Sequence, residues 1–269
     1  MKLSRAARII LVGAPGVGKG TQANRLLQRF SQLSTISSGD LLRDNVRNQT
    51  PLGIKAEAAM KSGSLVPDAM ILRLILNELK SRGWLYPAST PQPFTLASSG
   101  LATQDETSAD ADIFVNPSLA SSQIPLLASE SPSASFILDG FPRTATQAMA
   151  LDAIIPINLV VSLKTPSSVI LDRIRHRWVH QPSGRVYNTT FNLPKVPGRD
   201  DVTGELLTKR DDDSEEVWME RLRKFDETSE PLLRHYKAKG VLWEVEGNSS
   251  DEITPVLLKE FEKRFALLN

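Results

Sequence analysis

The chain has 269 residues, with 32 Lys and Arg against 31 Asp and Glu and a net charge of +1. This balance argues against a general nucleic-acid coat or a polybasic membrane protein, and no apolar run approaches the ~20 residues that span a bilayer. The lack of cysteine excludes disulfides, thiolate zinc sites, iron–sulfur clusters and a cysteine nucleophile.

The predicted elements alternate between short apolar strands and helices. Strands are predicted at 8–12, 33–37, 136–138, 159–163 and 241–245. Helices are predicted at 19–30, 41–46, 53–61, 69–81, 167–177, 214–239 and 250–267. Short strands separated by helices favour an α/β fold with three layers, in which a five-stranded parallel sheet is covered on both faces.

Residues 85–135 differ in composition from the rest of the chain. They contain no Lys or Arg, five acidic residues, eleven Ser and six of the 17 Pro. The other 218 residues carry 32 basic and 26 acidic groups, a net charge of +6. We therefore interpret 85–135 as an acidic, Ser/Pro-rich insertion. Because a surface loop lengthens at a slowly rising entropic cost, we expect it to be mobile and dispensable for the chemistry, with its two ends close together.

A glycine-rich stretch follows the first predicted strand and opens the first predicted helix. In such a loop, backbone N–H groups wrap phosphate oxygens and the helix N-terminus adds positive potential. Lys19 would reach the outer phosphates, and the Thr21 hydroxyl would lie near the metal. A plain Gly/Pro turn is the alternative, but the flanking strand and helix favour a triphosphate site made of Gly13, Ala14, Pro15, Gly16, Val17, Gly18, Lys19, Gly20 and Thr21.

A second motif places Asp139 at the carboxyl end of another apolar strand, before Gly140 and Arg143. Taken alone, an aspartate in this position is an ordinary turn residue. Opposite the glycine-rich phosphate-binding loop at 13–21, called the P-loop, the same carboxylate is suited to hold Mg²⁺ through water. The pairing of the two motifs favours the metal role.

The chain resembles the adenylate kinase family of nucleoside monophosphate kinases in four motifs that occur in family order. They are GAPGVGKGT at 13–21, SSGDLLRDN at 37–45, ILDGFPRTATQ at 137–147 and HQPSGRVYN at 180–188. The resemblance covers essentially the whole chain except 85–135. It implies a P-loop NTPase-type core at 1–36, 67–175 and 214–269, a helical AMP-binding domain at 37–66 and a small β-rich lid at 176–213.

The resemblance implies transfer of the terminal phosphoryl group of a nucleoside triphosphate to AMP. The acceptor is a phosphate oxygen already ionised at neutral pH, so the site needs no general base and must neutralise two polyanions. Arginine suits this task because its guanidinium forms bidentate contacts with phosphate. We expect Arg173 and Arg177, four residues apart, to lie on one helix and to point at one polyphosphate.

By resemblance, each site residue has a role. The catalytic residues would be Lys19, Asp139, Arg143, Arg177, Arg210 and Arg221. The donor nucleotide would also contact Arg173, Arg177, Tyr187 and Ser249. AMP would be held by Ser38, Arg43, Gly63, Leu65, Val66, Gly140, Arg143, Gln147, Arg210 and Arg221. Mg²⁺ would be held, largely through water, by Thr21 and Asp139, and the arginines would pair with Asp212 and Asp213.

Many relatives have a four-cysteine zinc site in the lid, which this chain cannot form. Four residues match the positions where zinc-free relatives carry a polar, hydrogen-bonded cluster: His180, Ser183, Asp200 and Thr203. Four unrelated polar loop residues are the alternative. We favour the cluster and expect no zinc.

Three further stretches resemble the mitochondrial branch of the family, in which GTP is the donor: 41–45, 177–180 and 239–242. Trp178 also stands where relatives that use ATP often have a second Arg. We therefore expect GTP, and also ITP, as donors, with GDP and ADP as products. An ATP:AMP adenylate kinase is the alternative, and a non-catalytic nucleotide-binding scaffold is a remote one.

The first acidic residue is Asp40, and Lys2, Arg5 and Arg8 precede it. A basic, acid-free start is compatible with mitochondrial import, although a short basic N-terminus explains it equally well. The resemblance favours the mitochondrial matrix over the cytoplasm. We expect a monomer that binds small-molecule nucleotides, without nucleic acid or membrane insertion.

Overall fold

The protein is described by a computed structural model that covers residues 1–61, 66–88, 126–209 and 215–267. Its helices are α1 (Lys19–Arg29), α2 (Ser38–Arg47), α3 (Pro51–Lys61), α4 (Asp68–Ser81), α5 (Ala145–Asp152), α6 (Ser167–Arg175), α7 (Glu215–Ala238) and α8 (Ser250–Phe265). Its strands are β1 (Arg8–Gly13), β2 (Leu33–Ser37), β3 (Leu85–Pro87), β4 (Leu126–Ala128), β5 (Ser135–Asp139), β6 (Leu159–Lys164), β7 (Arg177–His180), β8 (Arg185–Asn188) and β9 (Leu242–Glu246). Within these ranges, no helix combines the length and the apolar character that crossing a membrane requires.

In the described part of the chain, five parallel strands form the main sheet in the order β2-β5-β1-β6-β9. The central strand β1 pairs with β5 and β6, so that Leu11 lies opposite Asp139 and Gly13 opposite Leu163. Each of the five predicted strands occurs, with bounds that differ by one residue at most. The predicted α/β fold with a five-stranded parallel sheet is confirmed.

Both faces of this sheet are buried, because alternate residues of a strand point to opposite sides. Ile9 and Leu11 belong to an apolar cluster that includes α1, α6 and α8. Ile10 and Val12 belong to a second cluster, which includes α4 and α5. Helix α7 contributes to both clusters, with Trp218 near its start packed in the first one. The central strand is therefore apolar on both sides from Ile9 to Val12, and the P-loop and Asp139 lie at the carboxyl ends of β1 and β5.

The prediction that Arg173 and Arg177 share a helix is wrong. Helix α6 ends at Arg175, and Arg177 is the first residue of β7. Strand β7 pairs antiparallel with β8, with Arg177 opposite Asn188. Asn188 Nδ2 also donates to the carbonyl of Arg173 at 2.8 Å. Strand pairing in the predicted lid thus ends the helix two residues early, and the two arginines come from different elements.

The two ends of the predicted insertion lie side by side, as expected. Leu85 pairs with Ala128, and Pro87 with Leu126, in an antiparallel ladder of β3 and β4. Leu85 is buried, and the fully buried Ser135 accepts a hydrogen bond at Oγ from a backbone N–H before β1. Both ends of 85–135 are therefore part of the packed fold. The expectation of mobility and dispensability therefore applies to residues 89–125. These residues lie outside the described part of the chain.

Candidate active site

The P-loop joins the central strand to α1 at the carboxyl edge of the sheet. Gly18 precedes α1 with φ 104°, a left-handed conformation that favours glycine. Gly13 lies against β6, where an added Cβ would be 2.8 Å from the carbonyl oxygen of Leu163. Helix α1 begins at Lys19, so its N-terminal amides adjoin the loop. The loop geometry is that of an anion site at a helix N-terminus.

Lys19 is held by its own loop. Its Nζ donates to the carbonyls of Gly13 at 2.8 Å and Ala14 at 3.2 Å. Burial lowers the pKa of Lys19 below its ordinary value, while the nearby charge of Asp139 raises it and that of Arg143 lowers it. The hydrogen bonds of this ammonium group would become stronger if a phosphate replaced the carbonyls as acceptor, because a charged acceptor makes the stronger hydrogen bond.

Asp139 and Arg143 lie at the end of the neighbouring strand β5. Arg143 Nε donates to the carbonyl of Gly140 at 2.8 Å. The pKa of Arg143 is lowered, first by burial and then by the charge of Arg221, against the effect of Asp139. Lys19, Arg143 and Arg221 thus share a partly dry site with the carboxylate of Asp139. Such a site favours a polyanion, which would relieve the cost of keeping these charges together.

Ser38 and Arg43 lie beside this group, on α2. Ser38 is buried, and its Oγ donates to the carbonyl of Asp139 at 3.4 Å. Gly140 has φ 83°, and a Cβ there would be 2.8 Å from Ser38 Oγ, so a side chain at Gly140 would close this approach. Arg43 is half exposed and pairs with Asp40 in the same helix. The predicted residues for the AMP phosphate are thus on adjoining elements.

Gln147 lies on α5 with both ends of its amide occupied. Its Oε1 accepts from the backbone N–H of Arg143 at 2.6 Å, and its Nε2 donates to Asp68 Oδ1 at 2.6 Å. Asp68 was not among the predicted site residues. An acidic residue in the first turn of a helix is common, because it complements the helix dipole, so its position gave no separate signal.

Several predicted residues cannot be placed. Gly63, Leu65, Arg210, Asp212 and Asp213 lie outside the described residues. Val66, directly after the first gap, is buried in the cluster that contains α4. Thr21 is exposed on the first turn of α1, two residues after Lys19.

Arg173 links the P-loop to the segment before α8. Its Nη1 donates to the carbonyl of Val17 at 3.0 Å and its Nη2 to that of Asn248 at 2.7 Å. Its guanidinium carbon is 5.7 Å from the ring centroid of Phe191, and burial lowers its pKa. Ser249 caps α8, where its Oγ accepts a backbone hydrogen bond. Asn248 and Phe191 belong to no recognisable motif, so the sequence did not predict their contacts with Arg173.

Arg177 and Arg221 meet at the indole ring of Trp218. Their guanidinium carbons are 5.0 Å and 5.6 Å from the ring centroid. Trp218 is only 2% exposed and lies one helical turn before Arg221 on α7. Sequence reasoning missed Trp218, because an aromatic residue in an amphipathic helix indicates core packing and nothing more.

The polar cluster predicted in the lid is confirmed. His180 Nδ1 is 2.7 Å from Ser183 Oγ, and Thr203 Oγ1 is 3.3 Å from His180 Nε2. Thr203 Oγ1 also donates to Asp200 Oδ2 at 2.9 Å. His180 and Asp200 are both buried. The four residues hold the loops of this segment together with hydrogen bonds.

Three residues that sequence reasoning did not assign to the cluster complete it. Arg185 donates two hydrogen bonds of 2.7 Å to Asp200, and Glu205 Oε2 lies 2.6 Å from His180 Nε2. The hydroxyl of Tyr187 donates to Asp200 at 2.9 Å. The hydrogen bonds from Arg185 first, and then from Thr203 and Tyr187, hold the pKa of the Asp200 carboxyl well below its usual range, against the effect of burial. The Tyr187 hydroxyl thus donates within the cluster.

Within the described residues, no group of three or more His, Asp or Glu is arranged to hold a metal ion. The carboxylate of Asp139, next to Lys19, fits a Mg²⁺ ion that arrives with a triphosphate, since Mg²⁺ in kinases keeps several waters and takes one or two carboxylates plus substrate oxygens.

Known proteins are similar to this chain over nearly its whole length. The adenylate kinase family model matches residues 11–116 and 118–241. A mitochondrial GTP:AMP phosphotransferase of Saccharomyces cerevisiae is 42% identical over 268 residues, which cover 98% of this chain and 95% of that protein. A protein of the same description from S. cerevisiae strain S288c is 43% identical over 256 residues, covering 93% of this chain and 94% of that one. One from Drosophila melanogaster is 36% identical over 250 residues, 93% of each chain. The chain therefore belongs to the adenylate kinase family.

Proposed function

We propose that this phosphotransferase moves the terminal phosphoryl group of GTP to AMP and so forms GDP and ADP in the mitochondrial matrix. The observation that carries the chemistry is the common location of five groups: Lys19, Asp139, Arg143, Arg177 and Arg221. The donor and the compartment are supported by the relatives, which are described as mitochondrial GTP:AMP phosphotransferases at 36% to 43% identity over nearly their whole length.

The reaction suits a site rich in cations and poor in general bases. An ionised oxygen of the AMP phosphate attacks the γ-phosphorus of GTP, the bond from that phosphorus to the β–γ bridging oxygen breaks, and GDP leaves. No proton has to be removed from the acceptor. The protein's task is to bring two polyanions together and to stabilise the charge on the transferred group.

The two nucleotides would occupy opposite sides of this group of cations. The P-loop amides and Lys19 would bind the outer phosphates of GTP, and Arg173, between the P-loop and the loop before α8, would cover the base. On the other side, Arg43 and Arg143 would hold the AMP phosphate, with Gln147 at the adenine. Arg177 and Arg221, together with Arg210, would act on the phosphoryl group between them.

Mg²⁺ bound with the triphosphate would neutralise charge on the phosphate oxygens. Asp139 would hold it, largely through water, and Thr21 lies on the adjoining turn of α1 for the same purpose. The lid would contain no zinc, because His180, Asp200 and their partners hold its loops by hydrogen bonds.

Water is the competing acceptor, so the site has to close before transfer. The helical segment at 37–66 and the lid at 176–213 would close over AMP and GTP, while the sheet and the P-loop stay in place. The first segment begins where Ser37 of β2 pairs with Asp139, and the second begins shortly after Arg173, which contacts Val17 of the P-loop. We infer a monomer, in keeping with the family resemblance.

A donor panel tests the proposal directly. ADP formation from AMP would be measured with GTP, ITP and ATP in turn, with a bisubstrate inhibitor as control. We expect kcat/KM for GTP to exceed that for ATP by about tenfold or more, with ITP close to GTP because it shares the 6-oxo group. A tenfold preference for ATP would overturn the donor assignment in favour of an adenylate kinase. Nucleotide binding without any transfer would favour a scaffold.

The compartment needs its own test. The full chain would be expressed with a C-terminal fluorescent tag, and isolated mitochondria would be treated with protease before and after rupture of the outer membrane. Protection that persists until the inner membrane is dissolved is expected for a matrix protein. A cytoplasmic or intermembrane-space pool that holds most of the protein would contradict the assignment.

A further inference from the structure

Trp218 contacts two of the arginines that the proposed function places at the transferred phosphoryl group. Arg177 reaches the indole from the first residue of β7, and Arg221 reaches it from the next turn of α7. The two guanidinium groups therefore share one aromatic ring although they come from different segments of the chain.

Two guanidinium groups at one ring raise an electrostatic problem. Like charges repel, and the charge of Arg221 is one cause of the lowered pKa of the nearby Arg143. Long side chains also lose rotamer freedom when they are held in one geometry, so a fixed contact that limits their motion helps to keep them in the site.

The indole ring offers a solution that carries no charge of its own. The face of an aromatic ring is electrically negative and attracts cations, and tryptophan does so most strongly. The ring attracts both arginines without occupying the hydrogen-bond donors that the phosphate requires.

The ring itself is held firmly. Trp218 is 2% exposed and packs in the apolar cluster that contains Val17 of the P-loop, Ile174 of α6 and Leu222 of α7. Close packing of this kind leaves a large ring little freedom to move. A fixed ring between the P-loop and two arginines sets where their guanidinium groups lie relative to the donor phosphates.

We propose that Trp218 is a positioning residue, whose indole face holds Arg177 and Arg221 in place for the transferred phosphoryl group. This inference rests on the proposed function, because that function assigns the two arginines their task. It gives Trp218 a role beyond filling the core, and it does not require Trp218 to touch a nucleotide.

The kinetic test compares Trp218→Leu, which keeps an apolar side chain without a π-face, with Trp218→Phe, which keeps a smaller aromatic face. Trp243→Leu is the matched control, because Trp243 on β9 packs against the same apolar cluster. For Trp218→Leu, we expect kcat per folded molecule to fall about tenfold, with KM for both nucleotides changed less than about threefold, because the lost order matters most in the transition state. Trp218→Phe should recover most of the loss.

A purely structural role predicts a different pattern. Trp218→Leu and Trp243→Leu would then both lower Tm and leave kcat per folded molecule unchanged. Equal losses of kcat in Trp218→Leu and Trp218→Phe would also overturn the proposal, because they would point to side-chain volume rather than to the aromatic face.

A second measurement does not depend on catalysis. In ¹⁵N-labelled, nucleotide-free protein, the Nε–Hε signals of Arg177 and Arg221, assigned with Arg177→Lys and Arg221→Lys, should be shifted by the ring current of Trp218. Both shifts should disappear in Trp218→Leu and stay in Trp243→Leu. If the wild type transfers no phosphoryl group, the proposed function fails; if the shifts are absent from an active wild type, the positioning role fails.

Discussion

Gln147 and Asp68 are joined by a hydrogen bond of 2.6 Å, which connects helix α5 to the first turn of α4. A carboxylate accepts and cannot donate, so this contact requires the Nε2 side of the Gln147 amide to face Asp68. The Oε1 side is then left to accept from the backbone N–H of Arg143 at 2.6 Å. One acidic residue therefore orients the amide that we assign to the adenine of AMP.

Asp68→Ala should raise KM for AMP by about three- to tenfold, since the Gln147 amide would lose a charged hydrogen-bond partner. KM for GTP should stay unchanged, and steady-state kinetics with each nucleotide varied in turn would measure both. Asp251→Ala is a matched control, because Asp251 lies in the first turn of α8 and is 85% exposed. An equal rise of both KM values in Asp68→Ala would contradict the role in AMP binding.

Arg143→Ala should raise the AMP requirement strongly while it leaves triphosphate binding nearly unchanged. The reason is that its guanidinium lies next to Gly140 and the backbone that leads to Gln147, on the AMP side of the site. Calorimetric titration with each nucleotide separately would measure the two affinities. Arg234→Ala, which removes a 75% exposed arginine of α7, provides the comparison. Equal losses of both affinities in Arg143→Ala would refute the assignment.

Lys19→Ala should lower kcat by about two to three orders of magnitude, because a cation aimed at charge that develops in the transition state is lost. A smaller effect on AMP affinity is expected. Rapid-quench measurement of a single turnover would isolate the transfer step. Lys164→Ala removes a lysine at the end of β6 that pairs with Glu244, and it should turn over at the wild-type rate. A Lys19→Ala protein with normal single-turnover rates would exclude Lys19 from the chemistry.

The lid should lose stability in acid through Asp200. Its pKa is depressed in the folded protein, mainly by Arg185, so the carboxylate stabilises the folded lid at pH values above the unfolded pKa of about 4. The contribution is lost as pH falls through the folded pKa. Asp200→Asn should therefore increase hydrogen exchange of β7 and β8 relative to wild type by a constant factor between about pH 5 and 8. The difference should shrink below about pH 4.

A matched control for this pH dependence is Glu230→Gln, since Glu230 forms an exposed pair with Arg234 on α7. Hydrogen exchange of β7 and β8 in that variant should equal that of wild type at every pH. An Asp200→Asn protein whose exchange difference from wild type grows as the pH falls would contradict the sign of the linkage.

Residues 89–125 should be replaceable by a short turn. Pro87 and Leu126 are paired across β3 and β4, so a turn of two to four residues that contains Gly can close the ladder. We expect kcat and Tm to match wild type within experimental error. Deletion of the whole stretch 85–135 is the informative counterpart. It removes the buried Leu85 and Ser135 and should lower Tm by several degrees. Loss of transfer in the shorter deletion, with an intact fold, would give the segment a function.

Local pattern was enough to predict the five strands of the sheet and their approximate bounds. A buried parallel strand is a short apolar run, and the run 8–12 before Gly13 is visible without any tertiary information. The P-loop was equally visible, because its glycines and Lys19 carry the motif by position alone. The sequence also shows that charge is unevenly distributed: the stretch 85–135 is acidic, and the rest of the chain has a net charge of +6.

Contacts between distant segments were not predictable in this way. Helical spacing placed Arg173 and Arg177 on one helix, but pairing of β7 with β8 ends α6 at Arg175. Asp68 and Trp218 have ordinary local explanations, as a helix N-terminal acid and a core aromatic. The partner of Asp68, Gln147, lies 79 residues away along the chain. The partner of Trp218, Arg177, lies in a different element, strand β7.

The sequence by itself determined the α/β architecture, the phosphate loop and the family resemblance, because each depends on residues that are neighbours along the chain. Only the tertiary structure decided which side chains support the arginines and the amide of the site, and how the hydrogen bonds of the lid are shared. It also showed that Leu85 and Ser135, at the two ends of the predicted insertion, are buried, which depends on what the fold packs against them. Packing and charge act through space, and one residue's neighbours in space are set by the whole fold.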